Sequence, residues 1–246
     1  MKNHLEHLRT EPFTVHREWT ESGIPVLWAS VSLPEPVPAL NAVCRRIRRY
    51  YRLQGRAFLR YCQKSLLPLA QAEARAALAE SRPLPEFRAE LTYQITYNAH
   101  GFWSLYTQVR EHTLPGQDFL LRRGDTWDLN AGYPVALADF FPHRSGWKRQ
   151  LLSTAEQEAL RQERAGISRY WESLRRDLRR RFSPRNYYLT EEGLAFFYPM
   201  YAIAPAPEGI PVFTLPYGEG LLFPPKAPDR EQSSPPESTV KNAAVQ

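Results

Sequence analysis

The sequence predicts an α+β protein, in which an antiparallel sheet packs on one face against two long helical elements. Residues 87–97 alternate strictly between apolar and polar side chains, the pattern of a strand with one buried and one wet face. Residues 40–67 and 147–181 carry apolar side chains three and four positions apart, as amphipathic helices do. Because one face of the strand is wet, we expect an antiparallel sheet with both helical elements on its other face.

Length and composition narrow the class of protein. The chain has 246 residues, of which 43% are hydrophobic and 13% aromatic, values typical of a globular protein. No apolar run is long enough to span a membrane, and the charged first twenty residues do not resemble a secretory signal, so we expect a cytoplasmic location. Cys44 and Cys62 are expected to be free and buried, because a helix between them would hold them too far apart to bridge.

Composition also divides the chain into four segments. Residues 1–22 are polar and are predicted to form a flexible arm. Residues 23–123 and 124–220 are predicted to form two α+β halves. Residues 221–246 are rich in proline, serine and charge, which predicts a disordered tail.

The first half is expected to contain strands on both sides of a helix. Residues 24–33 place apolar side chains on one face at a period of two, and residues 40–67 form the helix. A turn at residues 98–101 connects the strand at 87–97 to a returning strand at 102–111. We expect further strands at residues 119–122 and 126–129.

The second half is expected to contain the helical region 147–181, which Gly166 divides. Its last part carries a stripe predicted to face the core: Ile167, Tyr170, Trp171, Leu174, Leu178 and Phe182. Residues 187–198 are predicted to form a hairpin. Four prolines then predict an extended crossing segment, since proline removes backbone donors, before a strand begins at residue 212.

Two stretches carry a family resemblance. One is NYYLTEEGLAFFYPMYAIAPAPEGIPVFTLPYG at residues 186–218, and the other is TWDLNAGYPVALADFFP at residues 126–142. Both are similar to the RsiV-like module, which forms the extracytoplasmic part of RsiV anti-sigma factors and accompanies the deacetylase domain of PdaC-type proteins. In RsiV proteins the module binds lysozyme. The resemblance therefore implies a non-enzymatic binding module, whose partner is lysozyme, another protein or a cell-wall-related molecule.

The candidate ligand-binding residues lie in two loops, at residues 112–118 and 198–208. Prolines order such loops in advance, and exposed tyrosine and methionine provide contact area at low entropic cost. An alternative is that the second loop only covers the edge of a sheet. The candidates are His112, Pro115, Gln117, Tyr198, Met200, Tyr201, Pro205 and Pro207.

No phosphate loop, nucleophile elbow or zinc motif occurs, so we predict no catalytic residue, no cofactor and no metal. One alternative is a cell-wall hydrolase that gathers Asp125, Asp139 and His143 in a cleft, although Asp139 is more typical of a helix cap. A metal site at His100, His112 and Asp118 is a weaker one. The remaining alternative is weak nucleic-acid binding through the arginine-rich helix faces, suggested by a net charge of +6.

Overall fold

The computed structural model describes residues 5–38, 41–114, 117–218 and 220–222, and it confirms the α+β class. A six-stranded sheet runs in the order of the chain. Its strands are β1 (Thr10–Glu21), β2 (Ile24–Pro36), β3 (Phe87–Ala99), β4 (Phe102–Leu114), β5 (Gln117–Asp128) and β6 (Tyr133–Pro134). A second sheet contains β7 (Tyr187–Leu189), β8 (Gly193–Phe197) and β9 (Val212–Pro216).

Two helical regions accompany the sheets. The first joins α1 (Ala42–Tyr61) to α2 (Leu67–Ala79) through a π-helical turn, Cys62–Leu66. The second comprises α3 (Trp147–Arg164) and α4 (Leu174–Arg181). The side chain of Asn41 starts α1 by accepting a hydrogen bond from the Cys44 amide at 2.7 Å.

The sheets and helices stack in layers. One face of β1–β5 packs against α1 and α2 and forms the first core. The other face of β4 and β5 receives the second sheet, where the rings of Tyr106 and Tyr188 lie 5.1 Å apart. Phe196 and Phe213, on the far side of the second sheet, belong to a second core with Leu151 of α3. The layers therefore lie in the order helix, sheet, sheet and helix.

Two expectations for the N-terminal part of the chain are wrong. Residues 10–21 do not belong to a flexible arm, because β1 pairs with β2 along its whole length and buries part of Val15 and Trp19 against the first core. The sheet is also not wholly antiparallel, since β2 and β3 run parallel. The long helical region is the crossover that a parallel pair requires.

The second helical region ends earlier than its spacing predicts. Gly166 takes a φ of +67°, which divides the region as expected, and α4 begins only at Leu174. Leu174 and Leu178 are buried as predicted. Ile167 and Trp171 lie in the connecting loop and are 63% and 42% exposed, so their assignment to the core is wrong.

Cys44 and Cys62 are both free and buried, as predicted. The predicted tail, residues 221–246, falls outside the described residues except for its first two positions. The division between residues 123 and 124 stays a prediction. Tyr97 and Phe102, from the predicted first half, contribute to the second core.

Candidate functional site

The second predicted loop lies against β5, although the two segments are far apart in sequence. The backbone amide of Leu120, close to the β4–β5 turn, donates to the sulfur of Met200 at 3.3 Å. Gly209 approaches the same leucine, since a Cβ at this glycine would lie 3.7 Å from Leu120 Cδ1. The segment at residues 199–209 therefore covers the outer edge of β5.

Tyr201 is the unusual residue of this segment. Its φ is +66°, in the left-handed region that bulky side chains avoid, yet its side chain is 40% exposed. Trp171 holds the segment in place: its indole donates to the Tyr201 carbonyl at 3.4 Å, and its backbone amide donates to the Ile203 carbonyl at 3.0 Å. We call Leu120, Trp171, Met200 and Tyr201 the Tyr201 surface.

The other predicted residues of this segment differ in exposure. Tyr198 is 1% exposed and its hydroxyl donates to the Leu178 carbonyl at 3.0 Å, so its assignment to a binding surface is wrong. It turned inward because its buried hydroxyl has a backbone partner there. Met200 is almost buried against β5 and contributes support instead of a free side chain. Pro205 is half-buried before a 3₁₀ turn, and Pro207 is exposed within it.

His112, in the first predicted loop, lies beside a carboxylate. Asp118 accepts from His112 Nδ1 at 3.0 Å and from Arg110 Nε at 3.1 Å. Gln117 begins β5, and Pro115 lies outside the described residues. His100 lies elsewhere, where its ring contacts the hydroxyl of Tyr97 at 2.6 Å. Over the described part of the chain, no three histidine, cysteine, aspartate or glutamate side chains come together as a metal site.

The first aspartate of the hydrolase alternative belongs to a buried network. Asp125 accepts from the hydroxyls of Tyr50 and Tyr51 at 3.0 and 3.3 Å and from Arg123 at 3.3 Å. Burial raises the pKa of Asp125, and the Arg123 guanidinium opposes that rise. The indole of Trp127 donates to the Tyr51 hydroxyl at 3.1 Å and completes the network. The arrangement joins α1 to β5 inside the first core.

The other two residues of that alternative have different surroundings. Asp139 accepts the Ala136 amide at 3.2 Å and caps the 3₁₀ helix Leu137–Phe140, as its sequence context predicts. His143 is exposed. Two of the three groups therefore hold backbone or core structure together.

The arginines of α1 and α4 are used differently. On α1, Arg48 and Arg52 bind Glu35, and Arg46 donates to the Gly132 carbonyl at 2.6 Å. On α4, Arg179 and Arg180 line an open cavity of about 620 Å³. Residues 144–181 contain eleven basic and five acidic side chains, a net charge of +6 that equals that of the whole chain.

Known proteins resemble this chain in sequence over one segment and in fold over most of its length. Residues 138–218 match the family model described as "Protein of unknown function (DUF3298)". The matched segment contains α3, α4 and the whole second sheet. No curated protein matches the chain in sequence.

Two solved structures of DUF3298 family members share the fold. The one from Bacteroides fragilis NCTC 9343 has a TM-score of 0.66 at 15% identity and covers 89% of this chain and 95% of its own. The one from Pseudomonas aeruginosa PAO1 has a TM-score of 0.52 at 14% identity and covers 87% of this chain and 94% of its own. At such identities the likeness concerns the fold alone, and the resemblance to the RsiV-like module stays a prediction.

No helix in the described ranges is both long and apolar enough to cross a membrane.

Proposed function

We propose that this protein is a non-enzymatic binding module, and that the Tyr201 surface contacts a protein ligand. One observation carries the proposal. Two segments eighty residues apart are joined through Leu120 and Met200, and beside them an exposed tyrosine is held at a φ of +66°. The roles of Asp125 and Asp139 in the core and in a cap support the absence of catalysis.

The backbone of Tyr201 costs free energy that a glycine or asparagine would avoid. A strained φ of this kind costs on the order of 1–3 kcal/mol and persists only where the surrounding structure imposes it. The result is a fixed aromatic ring next to a second half-exposed ring, that of Trp171. Rigid aromatic side chains provide large contact areas at low entropic cost, which is why they are common at the centres of protein interfaces.

Lysozyme is the first ligand to test, because the resemblance to the RsiV-like module implies it. Trp171 lies within the stretch of net charge +6. A basic lysozyme therefore approaches against long-range repulsion, and only short-range contacts favour binding. Raising the salt from about 0.15 M to about 1 M shortens the screening length from about 8 to about 3 Å, so the affinity should not fall.

The experiment is biolayer interferometry of the purified protein against immobilised hen-type lysozyme at both salt concentrations. Tyr201→Ala should weaken binding at least tenfold, in line with about 2 kcal/mol for an interface hot spot. The matched control is Tyr133→Ala, which removes a 59% exposed tyrosine from β6, beside the opposite end of β5. Equal affinity of Tyr201→Ala and the unmodified protein would reject this surface. No binding at tens of micromolar, on the order of 50 μM, would reject lysozyme as the ligand.

Weak nucleic-acid binding is a second candidate, favoured by the cavity beside Arg179 and Arg180. Fluorescence polarisation with a single-stranded oligonucleotide tests it. Affinity that falls steeply with salt, and falls with Arg179→Ala but not with Tyr201→Ala, would support this function. Affinity that does not depend on salt would exclude it.

A further inference from the structure

We infer that the groove between α3 and the free edge of β9 binds an extended, uncharged peptide, which joins the second sheet as a fourth strand. This site is separate from the Tyr201 surface and does not depend on the function proposed above.

The pattern of hydrogen bonds between β9 and β8 identifies which backbone groups of β9 face away from the sheet. The Tyr198 amide donates to the Pro211 carbonyl at 3.0 Å, and the Tyr217 amide donates to the Glu192 carbonyl at 3.3 Å. Bonded pairs alternate along an antiparallel ladder, so the odd-numbered residues of this strand bond to β8. Residues 212, 214 and 216 must then direct their backbone groups away from β8.

The outward groups form a template for another strand. Val212 and Thr214 each offer an N–H and a carbonyl, whereas Pro216 offers only a carbonyl. Within the described ranges, no backbone or side-chain group bonds to these amides. Unpaired groups on an edge strand are the usual place where an extended peptide adds to a sheet.

A cavity lies beside this edge. Its volume is about 470 Å³, within the range of small-ligand pockets, and both β9 and α3 line it. Val212, Thr214 and Pro216 form one wall. The opposite wall consists of Thr154, Gln157, Glu158 and Arg161, which follow one side of α3 at steps of three and one. A guest strand would therefore contact β9 through its backbone and α3 through its side chains.

The charges of the groove favour an uncharged guest. Glu158 and Arg161 pair at 2.6 Å, so the two ions neutralise one another. Thr154 and Gln157 add a hydroxyl and an amide, which suit small polar or β-branched side chains. A second copy of the chain fits this edge less well. If its β9 paired with this β9, the α3 helices of both copies would need the same space beside the strand.

The probe is a capped heptapeptide of alternating threonine and valine with serine at both ends, titrated into ¹⁵N-labelled protein. We expect the amide signals of Val212 and Thr214 to shift as the peptide binds. Thr214→Pro should weaken binding at least tenfold, because it removes an outward N–H. This substitution leaves the hydrogen bonds between β8 and β9 in place, since the Thr214 amide points away from β8, and edge strands tolerate proline. Thr214→Val is the matched control and should bind the probe as the unmodified protein does.

A second variant tests the helix wall. Gln157→Trp fills the groove from an exposed position on α3, and we expect it to block the probe while the thermal unfolding midpoint stays unchanged. The inference is overturned if Thr214→Pro binds the probe with full affinity. It is also overturned if the probe shifts neither amide signal at about 5 mM, a concentration well above the dissociation constants of ordinary peptide complexes. Sedimentation as a dimer that Thr214→Pro dissociates would show that a second copy occupies the edge, and would also overturn it.

Discussion

Replacing Gly124 by alanine should destabilise the protein strongly, because this glycine is where the two sheets touch. It lies on β5 opposite Tyr106, on the face that receives the second sheet. An added Cβ would lie 1.9 Å from the carbonyl oxygen of Tyr187 and 2.7 Å from its carbonyl carbon. Real Cβ atoms stay beyond 3.0 Å, so β7 must withdraw by about 1 Å, the difference between 3.0 and 1.9 Å.

The withdrawal breaks identifiable contacts. The Tyr187 hydroxyl donates to the Val135 carbonyl at 2.5 Å, and the Leu189 amide donates to the buried Ser104 hydroxyl at 2.8 Å. Leaving a buried donor or acceptor without its partner costs about 1–3 kcal/mol. Overpacking of neighbouring side chains costs about 1–3 kcal/mol more. We therefore expect a loss of about 3–5 kcal/mol, a large share of the 5–15 kcal/mol typical of a folded protein.

Urea unfolding followed by tryptophan fluorescence measures this loss as a lower midpoint. With a slope of about 3 kcal/mol per molar urea, the midpoint should fall by about 1–1.7 M. Gly146→Ala is the control: its φ of +69° disfavours alanine, but nothing lies within 4 Å of the added Cβ. It should lose only about 1–2 kcal/mol. Equal losses for the two variants would refute the close approach of Tyr187 to Gly124.

Three further predictions concern single side chains. Burial disfavours the ionised form of Glu35, but two arginine guanidinium groups hold the pKa of this carboxyl below its ordinary value. The stability that this adds to the fold is present above pH 4.5 and is lost as the pH falls through the lowered pKa. Glu35→Gln should lower the free energy of unfolding by about 1–2 kcal/mol at pH 7. It should also make the free energy of unfolding decrease less steeply as the pH falls below 4.5. Tyr198→Phe should cost about 1–3 kcal/mol in urea unfolding, because the Leu178 carbonyl is left without its donor. Cys44 and Cys62 should react with a thiol reagent only as fast as the protein unfolds, since burial raises both pKa values, that of Cys62 to about 12.

Much of the fold could be predicted from local patterns, and the failures have physical causes. The strand at residues 87–97 was recognisable because each alternate side chain enters the first core. The β1 strand carries the same alternation at Phe13, Val15 and Trp19, but its many charges resemble a flexible arm until β2 supplies a partner. The parallel pairing of β2 and β3 could have been found from the long helix between them, because a parallel pair needs such a crossover.

The candidate site was predictable only in outline. The sequence predicts two candidate loops, and the contact of the second loop with β5 through Leu120 and Met200 depends on tertiary structure that no local pattern encodes. Tyr198 and Tyr201 belong to the same aromatic, proline-rich stretch, yet one is buried and the other exposed. The left-handed φ of Tyr201 separates them, and no glycine or asparagine marks it in the sequence.

The edges of β5 and β9 show why the proline segment alone does not indicate a ligand. The outer edge of β5 is covered: Leu120 donates to Met200, and the Thr126 carbonyl accepts the Val135 amide at 2.8 Å. The prolines of this segment remove some of its backbone donors, so it covers the edge without extending the sheet. Met200 reaches the edge through its sulfur, whereas the side chain of Tyr201 beside it is 40% exposed and its backbone takes a left-handed φ. The proposal of a ligand therefore depends on the exposed ring of Tyr201.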